Sequence, residues 1–283
     1  MFVKREDGLG KVFLPFYIAA ILPTALCAWA SGLTGWVLLP VILGLFIGWT
    51  VAALLVYIIF VWFVSLTVDT SKPVPDDHPF YRKIVLSIIA LLCRVGRVRL
   101  HIDGMENVPE GRFVLVGNHR SGYDPIVTVW ALRKWDMGVI TKPENLKIFI
   151  VRTIHQANYL AIDRDDPRKA IQTIRQAADL LKNDVVSIGV YPEGTRSRTG
   201  ELLPFHNAVF KIPKQGGNVP IVVAAISGTE RIMKNTPWRH TDVNLNLCEV
   251  IPPEEVAALS TKDLGEKVRA ILEGALENKG FDL

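Results

Sequence analysis

Two residues in the middle of the chain can do acid–base chemistry together. In the run GNHRSGYDP, residues 117–125, His119 stands five positions before Asp124. On a continuous helix that spacing leaves the two side chains about 140° apart. They meet only if residues 120–123 fold into a turn, which Ser121-Gly122 permits. A histidine held by a carboxylate has a fixed tautomer and serves as a general base. No nucleophilic Ser or Cys is needed when the substrate itself supplies a hydroxyl. The competing reading is structural: Asp124 directly before Pro125 is also a helix-start signature, with Asp at the cap and Pro at the first helical position. His119 is then a loop histidine.

Two further stretches offer cations for an anion. In AIDRDD, residues 161–166, Arg164 follows the expected end of a strand, where side chains of open α/β sheets reach a crevice. The planar fork of arginine suits phosphate there, unless Arg164 only pairs with Asp163 or Asp165. In YPEGTRSRTGELLPF, residues 191–205, Pro192, Glu193, Gly194, Thr195 and Arg196 form a tight polar turn. Gly194 allows positive φ or a close backbone approach, and Arg196 and Arg198 add charge. An ordinary glycine-rich turn with solvated arginines reads the same way. The run NVPIVVAAIS, led by Pro220, is by itself a buried strand.

The elements that must position these residues follow from periodicity. Val98, Leu100 and Ile102 alternate with Arg97, Arg99 and His101, a strand pattern. After it, apolar strand-like runs alternate with helical patterns. RFVLVGN precedes PIVTVWALRKW, and MGVIT precedes PENLKIFIVRTIHQ. NYLAID precedes PRKAIQTIRQAADLLKN, and VVSIGVYP precedes a loop and NAVFKIPKQ. VPIVVAAIS and VNLNLCEVI are further strands, and a final helix covers about residues 261–278. The alternation predicts a single α/β domain over residues 97–283.

Ahead of it, residues 12–68 contain no Asp, Glu, Lys, Arg or His. That run is long enough for two membrane helices, roughly residues 12–30 and 36–68, with Ser31, Gly32, Thr34 and Gly35 as the turn. Residues 1–71 are thus expected to be a membrane anchor, a helical hairpin. Basic residues lie on both sides of it, Lys4, Arg5 and Lys11 before and Lys72, Arg82 and Lys83 after. Two spans with both ends cytoplasmic satisfy the positive-inside tendency, as does a monotopic hairpin. The second long apolar run disfavours a cleaved secretory signal. Residues 72–96 read as a proline-rich linker followed by a basic helix, either at the membrane surface or buried. Its cations, with Arg94, Arg97 and Arg99, suit anionic headgroups.

The net charge of +4, with cations scattered, argues against a nucleic-acid binder. Cys27, Cys93 and Cys248 fit no metal or disulfide spacing and read as reduced, in keeping with a domain on the cytoplasmic face of the cell membrane.

Taken together, the motifs resemble the glycerolipid acyltransferase family. Four stand in that family's order: His119 to Asp124, Ile162-Asp163-Arg164, Pro192 to Ser197, and Val219-Pro220-Ile221-Val222. The resemblance covers about residues 97–250. It implies an acyltransferase-type α/β domain in which His119 deprotonates an acceptor hydroxyl that attacks an acyl thioester, and Asp124 orients His119. It implies that Arg164 and Arg196 bind an acceptor phosphate in a pocket shaped by Glu193, Gly194 and Thr195, helped by Lys142. Pro220 would support the wall. The acceptor implied is 1-acylglycerol-3-phosphate, a membrane lipid, giving phosphatidate. The donor is acyl-carrier protein or coenzyme A thioester, with no metal or bound cofactor. Acylation of glycerol-3-phosphate or of another lysophospholipid is the sister expectation, and a non-catalytic membrane scaffold the remote one. The chain departs from the family at Ala161, where an aromatic is usual, and at His206-Asn207-Ala208, where Lys-x-Gly is common after the third motif.

Overall fold

A strand buried on both faces reads as a continuous apolar run, and this chain has several. In the computed structural model, which describes residues 4–5, 11–72, 78–148, 152–163 and 165–278, these runs form one mixed sheet. Its strands are β1 (Lys4–Arg5), β2 (Val98–Asp103), β3 (Val114–Gly117), β4 (Met137–Thr141), β5 (Leu160–Ala161), β6 (Ser187–Val190), β7 (Ile221–Ser227) and β8 (Thr241–Ile251). Their spatial order is β1-β2-β8-β7-β3-β6-β4-β5. β7, β3, β6, β4 and β5 run parallel; β8 is antiparallel to β7 and parallel to β2, and β1 is antiparallel to β2.

The two-residue period of the strands sorts their side chains onto two cores. Leu115, Val139, Val222, Ala224 and Ile226 face one cluster. Val114, Val116, Ile188, Val190, Ile221 and Val223 face the other. The first is covered by α3 (Pro79–Val95) and α4 (Asp124–Ala131). The second is covered by α5 (Pro167–Lys182), α6 (Lys211–Gln215), α8 (Pro253–Ala258) and α9 (Thr261–Asn278), while the short α7 (Ile232–Asn235) follows β7. Asp166 caps α5 by accepting from the amides of Arg168 and Lys169, and Pro167 supplies the preset φ of a first turn.

Over PENLKIFIVRTIHQ the described residues form two tight 3₁₀ turns, Pro143–Lys147 and Thr153–Ala157, with Arg152 between them in an α-helical turn whose amide donates to the Ile148 carbonyl; residues 149–151 lie outside the described residues. The β-branched Ile148, Thr153 and Ile154 disfavour a helix, and Ile154 packs against the core instead.

The apolar N-terminal stretch is a pair of packed helices, α1 (Leu14–Ala30) and α2 (Leu38–Leu66). They are joined by the expected turn, in which Gly32 and Gly35 take positive φ. Most of the large apolar side chains of α1 and α2 point outward. Gly35–Leu66 is, among the described residues, the one helix long and apolar enough to cross a membrane.

One cation of the basic segment before the sheet, Arg82, lies in the interior and not at headgroups. α3 buries Val85, Ile89, Ala90 and Cys93 in the first core, and Arg82 is buried with them. Arg82 Nη2 donates to Asn158 Oδ1 at 2.9 Å and its Nε lies 3.4 Å from Asp136 Oδ1. It is an internal tie between α3 and the loops around β4, because one face of α3 is apolar and brings Arg82 in with it. The hairpin is stitched to this helix. Thr67 Oγ1 and Tyr81 Oη are 3.0 Å apart, and Tyr57 Oη bonds Ser87 Oγ. Arg152 Nη2 donates to the Val68 carbonyl at 3.0 Å.

The β4–β5 region is packed tightly at Gly138, where an added Cβ would lie 2.4 Å from the Asn158 carbonyl oxygen. Gly138→Ala is therefore expected to cost about 1–3 kcal/mol, seen as a lowered thermal unfolding midpoint in detergent. Gly111→Ala, whose Cβ meets nothing within 4 Å, should leave the midpoint unchanged.

Candidate active site

Residues that follow parallel strands collect at one edge of the sheet. His119 comes two residues after β3, Lys142 directly after β4, and the Glu193–Arg196 turn three residues after β6. The neighbouring order β3-β6-β4-β5 then sets the first, third and second motifs side by side. Arg164 lies outside the described residues.

Residues 120–123 do turn, and His119 Nδ1 comes 2.8 Å from Asp124 Oδ2. The same carboxylate oxygen accepts the amides of Arg120 and Ser121, each at 2.7 Å. Its other oxygen accepts Thr229 Oγ1 at 2.5 Å. Asp124 is fully buried, so its charge is compensated by these donors alone among the described contacts. The expected cap role is displaced: the helix begins at Asp124 with Tyr123 preceding it, and the Asp124 side chain turns back into the loop. With Nδ1–H donating to a buried carboxylate, the free lone pair of His119 sits on Nε2.

The loops around His119 are tied down by a second buried carboxylate. Glu193 Oε1 accepts the His119 amide at 2.7 Å and Oε2 accepts the Leu203 amide at 3.0 Å. The Ser197 amide closes the pair of loops by donating to the His119 carbonyl at 2.8 Å. Burial pushes the Glu193 carboxyl up, against the pull of the two amides and His119. Asn118 fixes the other flank, donating to the Ile226 carbonyl at 2.9 Å and accepting the Ile226 amide at 2.7 Å. Burial also holds the Tyr191 hydroxyl well above its ordinary value, and its ring lies 4.9 Å from that of His119.

His119 opens on a cavity of about 800 Å³. Lys142, Gly194, Thr195 and Arg196 line it, with His206 and Lys211 beside them. Much of the remaining wall is apolar: Val85, Ile88, Ile89 and Leu92 from α3, Ile140 and Ile162 from the sheet edge, and Ile171 and Ile174 from α5. The structure therefore gathers His119, Lys142, Gly194, Thr195 and Arg196 around one space. Glu193 is not on that wall; it holds the backbone beneath it. Pro220 is not there either. Its carbonyl accepts the Val114 amide at the start of β3, the opposite end of the strand from His119.

The acyltransferase family model matches residues 99–227, a span that contains all of this edge. Over that span the chain is similar to acyltransferases. Solved and curated proteins similar to it agree. The crystal structure of the 1-acyl-sn-glycerophosphate acyltransferase of Thermotoga maritima superposes with a TM-score of 0.56 at 26% identity, over 78% of this chain and 87% of that one. The 1-acyl-sn-glycerol-3-phosphate acyltransferase of Haemophilus influenzae is 28% identical over 172 residues, 61% of this chain and 70% of its own. That of Limnanthes douglasii is 28% identical over 156 residues, and the match spans about half of the plant protein, 54%. The resemblance drawn from the four motifs and the α/β class are thus borne out.

Several residues of this site escaped sequence reasoning. Thr229 stands two residues beyond β7, after Gly228 at φ 88°; a polar residue at a strand end beside β3 was the available signal. The α3 wall and Asn118 gave none, since apolar helix residues and a loop Asn are common. Among the described residues no group of three or more His, Cys, Asp or Glu is arranged to hold a metal.

Thr229→Val leaves one oxygen of the buried Asp124 without its donor. It is expected to destabilise the domain by about 1–3 kcal/mol, measured by thermal unfolding, with Thr229→Ser restoring most of the loss.

Proposed function

We propose that this protein transfers an acyl group from a thioester to the sn-2 hydroxyl of 1-acylglycerol-3-phosphate at a membrane surface. The observation that carries the reading is the shared cavity. Its walls include a carboxylate-held histidine, apolar side chains fit for acyl chains, and the cations Arg196 and Lys142, fit for a phosphate. The names of the similar bacterial and plant proteins support the same acceptor.

In this reading His119 Nε2 takes the proton of the acceptor hydroxyl as its oxygen attacks the thioester carbonyl carbon. The new C–O bond forms, the C–S bond breaks, and the thiolate leaves with the proton that the imidazolium returns. Asp124 keeps Nδ1–H pointed inward and stabilises the transient imidazolium. Arg196 grips the phosphate bidentately, with Lys142 as a second charge and Arg164 as a third. The donor is an acyl-carrier protein or coenzyme A thioester. The hairpin anchors the chain in the cell membrane, with the domain on its cytoplasmic face, so that the acceptor reaches the cavity from the bilayer and the product returns to it.

Purified protein supplied with a thioester should form phosphatidate from 1-acylglycerol-3-phosphate in preference to acylating glycerol-3-phosphate. His119→Ala should lower kcat by at least about 100-fold in a protein that unfolds at the same temperature. Retained activity in that variant would overturn the base assignment. Arg196→Ala should raise the acceptor KM roughly 10- to 100-fold, the worth of a charged hydrogen bond, with a smaller effect on an acceptor lacking phosphate.

A further inference from the structure

Among the described residues outside the hairpin, the most exposed large apolar side chains are Trp238, 86% exposed, and Met233, 70% exposed. Both sit in the segment Gly228–Thr241 that connects β7 to β8. An indole that exposed has no role in the core and belongs at a wet–apolar boundary. The segment lies against the C-terminal end of α3. An added Cβ at Gly96 would meet Ile232 Cγ2 at 2.8 Å, Arg97 Nη2 lies 2.7 Å from His240 Nε2, and the Thr241 amide donates to the Arg97 carbonyl. That end of α3 exposes Leu92 and Val95.

The direction of α3 decides what this surface faces. Thr67 meets Tyr81, and ten residues earlier on α2 Tyr57 meets Ser87. α3 therefore runs antiparallel to α2, back along the hairpin toward its tip. Its last turn, and the Trp238 segment beside it, project the same way as the apolar hairpin. Charge completes the description: Arg94, Arg231, Lys234 and Arg239 are exposed, and Glu230 is the single carboxylate in residues 78–99 and 228–241. Glu230 lies 3.5 Å from Arg231. Exposed Trp and Met ringed by cations match an anionic lipid interface.

We propose that the Met233–Arg239 segment, with the C-terminal end of α3, is a second membrane-contact surface that seats on anionic headgroups. The inference rests on the reading of the hairpin as a membrane anchor. Two contacts, one at each end of α3, hold the helix and the cavity it lines flat against the leaflet. One contact alone leaves the domain free to swing.

The test needs no catalysis, so it stands or falls apart from the acyl-transfer reading. The full chain, with Cys27→Ser, Cys248→Ser and Met233→Cys, is labelled with a fluorophore and reconstituted into phosphatidylcholine vesicles with and without phosphatidylglycerol. A spin-labelled lipid serves as quencher, and a label at Lys262→Cys on α9 is the control. Quenching at residue 233 should exceed that at 262 severalfold, rise with phosphatidylglycerol, and lose that rise when Arg231, Lys234 and Arg239 are replaced by Gln. Quenching at 233 no greater than at 262 overturns the proposal. Quenching indifferent to phosphatidylglycerol overturns the anionic leaflet as the partner. Hairpin insertion, followed by co-flotation of the same samples, distinguishes failure of the patch from failure of the anchor.

Discussion

Everything about the site depends on the buried carboxylate of Asp124. A charge with no access to water must be surrounded by donors, and here they come from two parts of the chain: the His119 ring with the amides of residues 120 and 121, and the Thr229 hydroxyl. Satisfying that charge folds the loop after β3 into its turn and fixes the imidazole. It also ties the loop to the end of β7. Asp124 is at once the reason the loop has one shape and the reason His119 has one useful nitrogen.

The sheet makes this possible because parallel strands deliver their ends together. β3, β6 and β4 are neighbours in space although β6 begins 70 positions after β3 ends and 46 after β4 ends. Side chains that start as separate motifs become one wall. Glu193 shows how the assembly is locked: its two oxygens bind amides from the first and third motifs, so a residue expected to face a ligand serves the framework instead.

The fold class, the hairpin and its turn, the final helix and the His119–Asp124 pairing were legible, because each rests on periodicity or on a short-range turn. So was the company of Lys142, Gly194, Thr195 and Arg196. What was not legible depended on tertiary context. Arg82 reads as a surface cation beside an apolar anchor, yet Asn158 and Asp136 draw it into the interior. Ile154 reads as helical but serves the core from a tight turn. Thr229 and Pro220 depend on strand register, which no single-sequence pattern supplies. Register puts Thr229 against Asp124 and sends Pro220 to the far end of the sheet.

The division of labour around the cavity has a further consequence. The groups fit for chemistry and charge sit on loops cross-linked by buried carboxylates, whereas part of the apolar wall belongs to α3, a helix whose Val85, Ile88, Ile89 and Leu92 make no hydrogen bond to those loops through their side chains. Swapping Val for Ile, or Leu for Ala, along that helix alters the depth and girth of the space and leaves the imidazole where it is. The protein thus separates what it can hold from what it can do, and a lineage can retune the one by point changes while the other stays fixed.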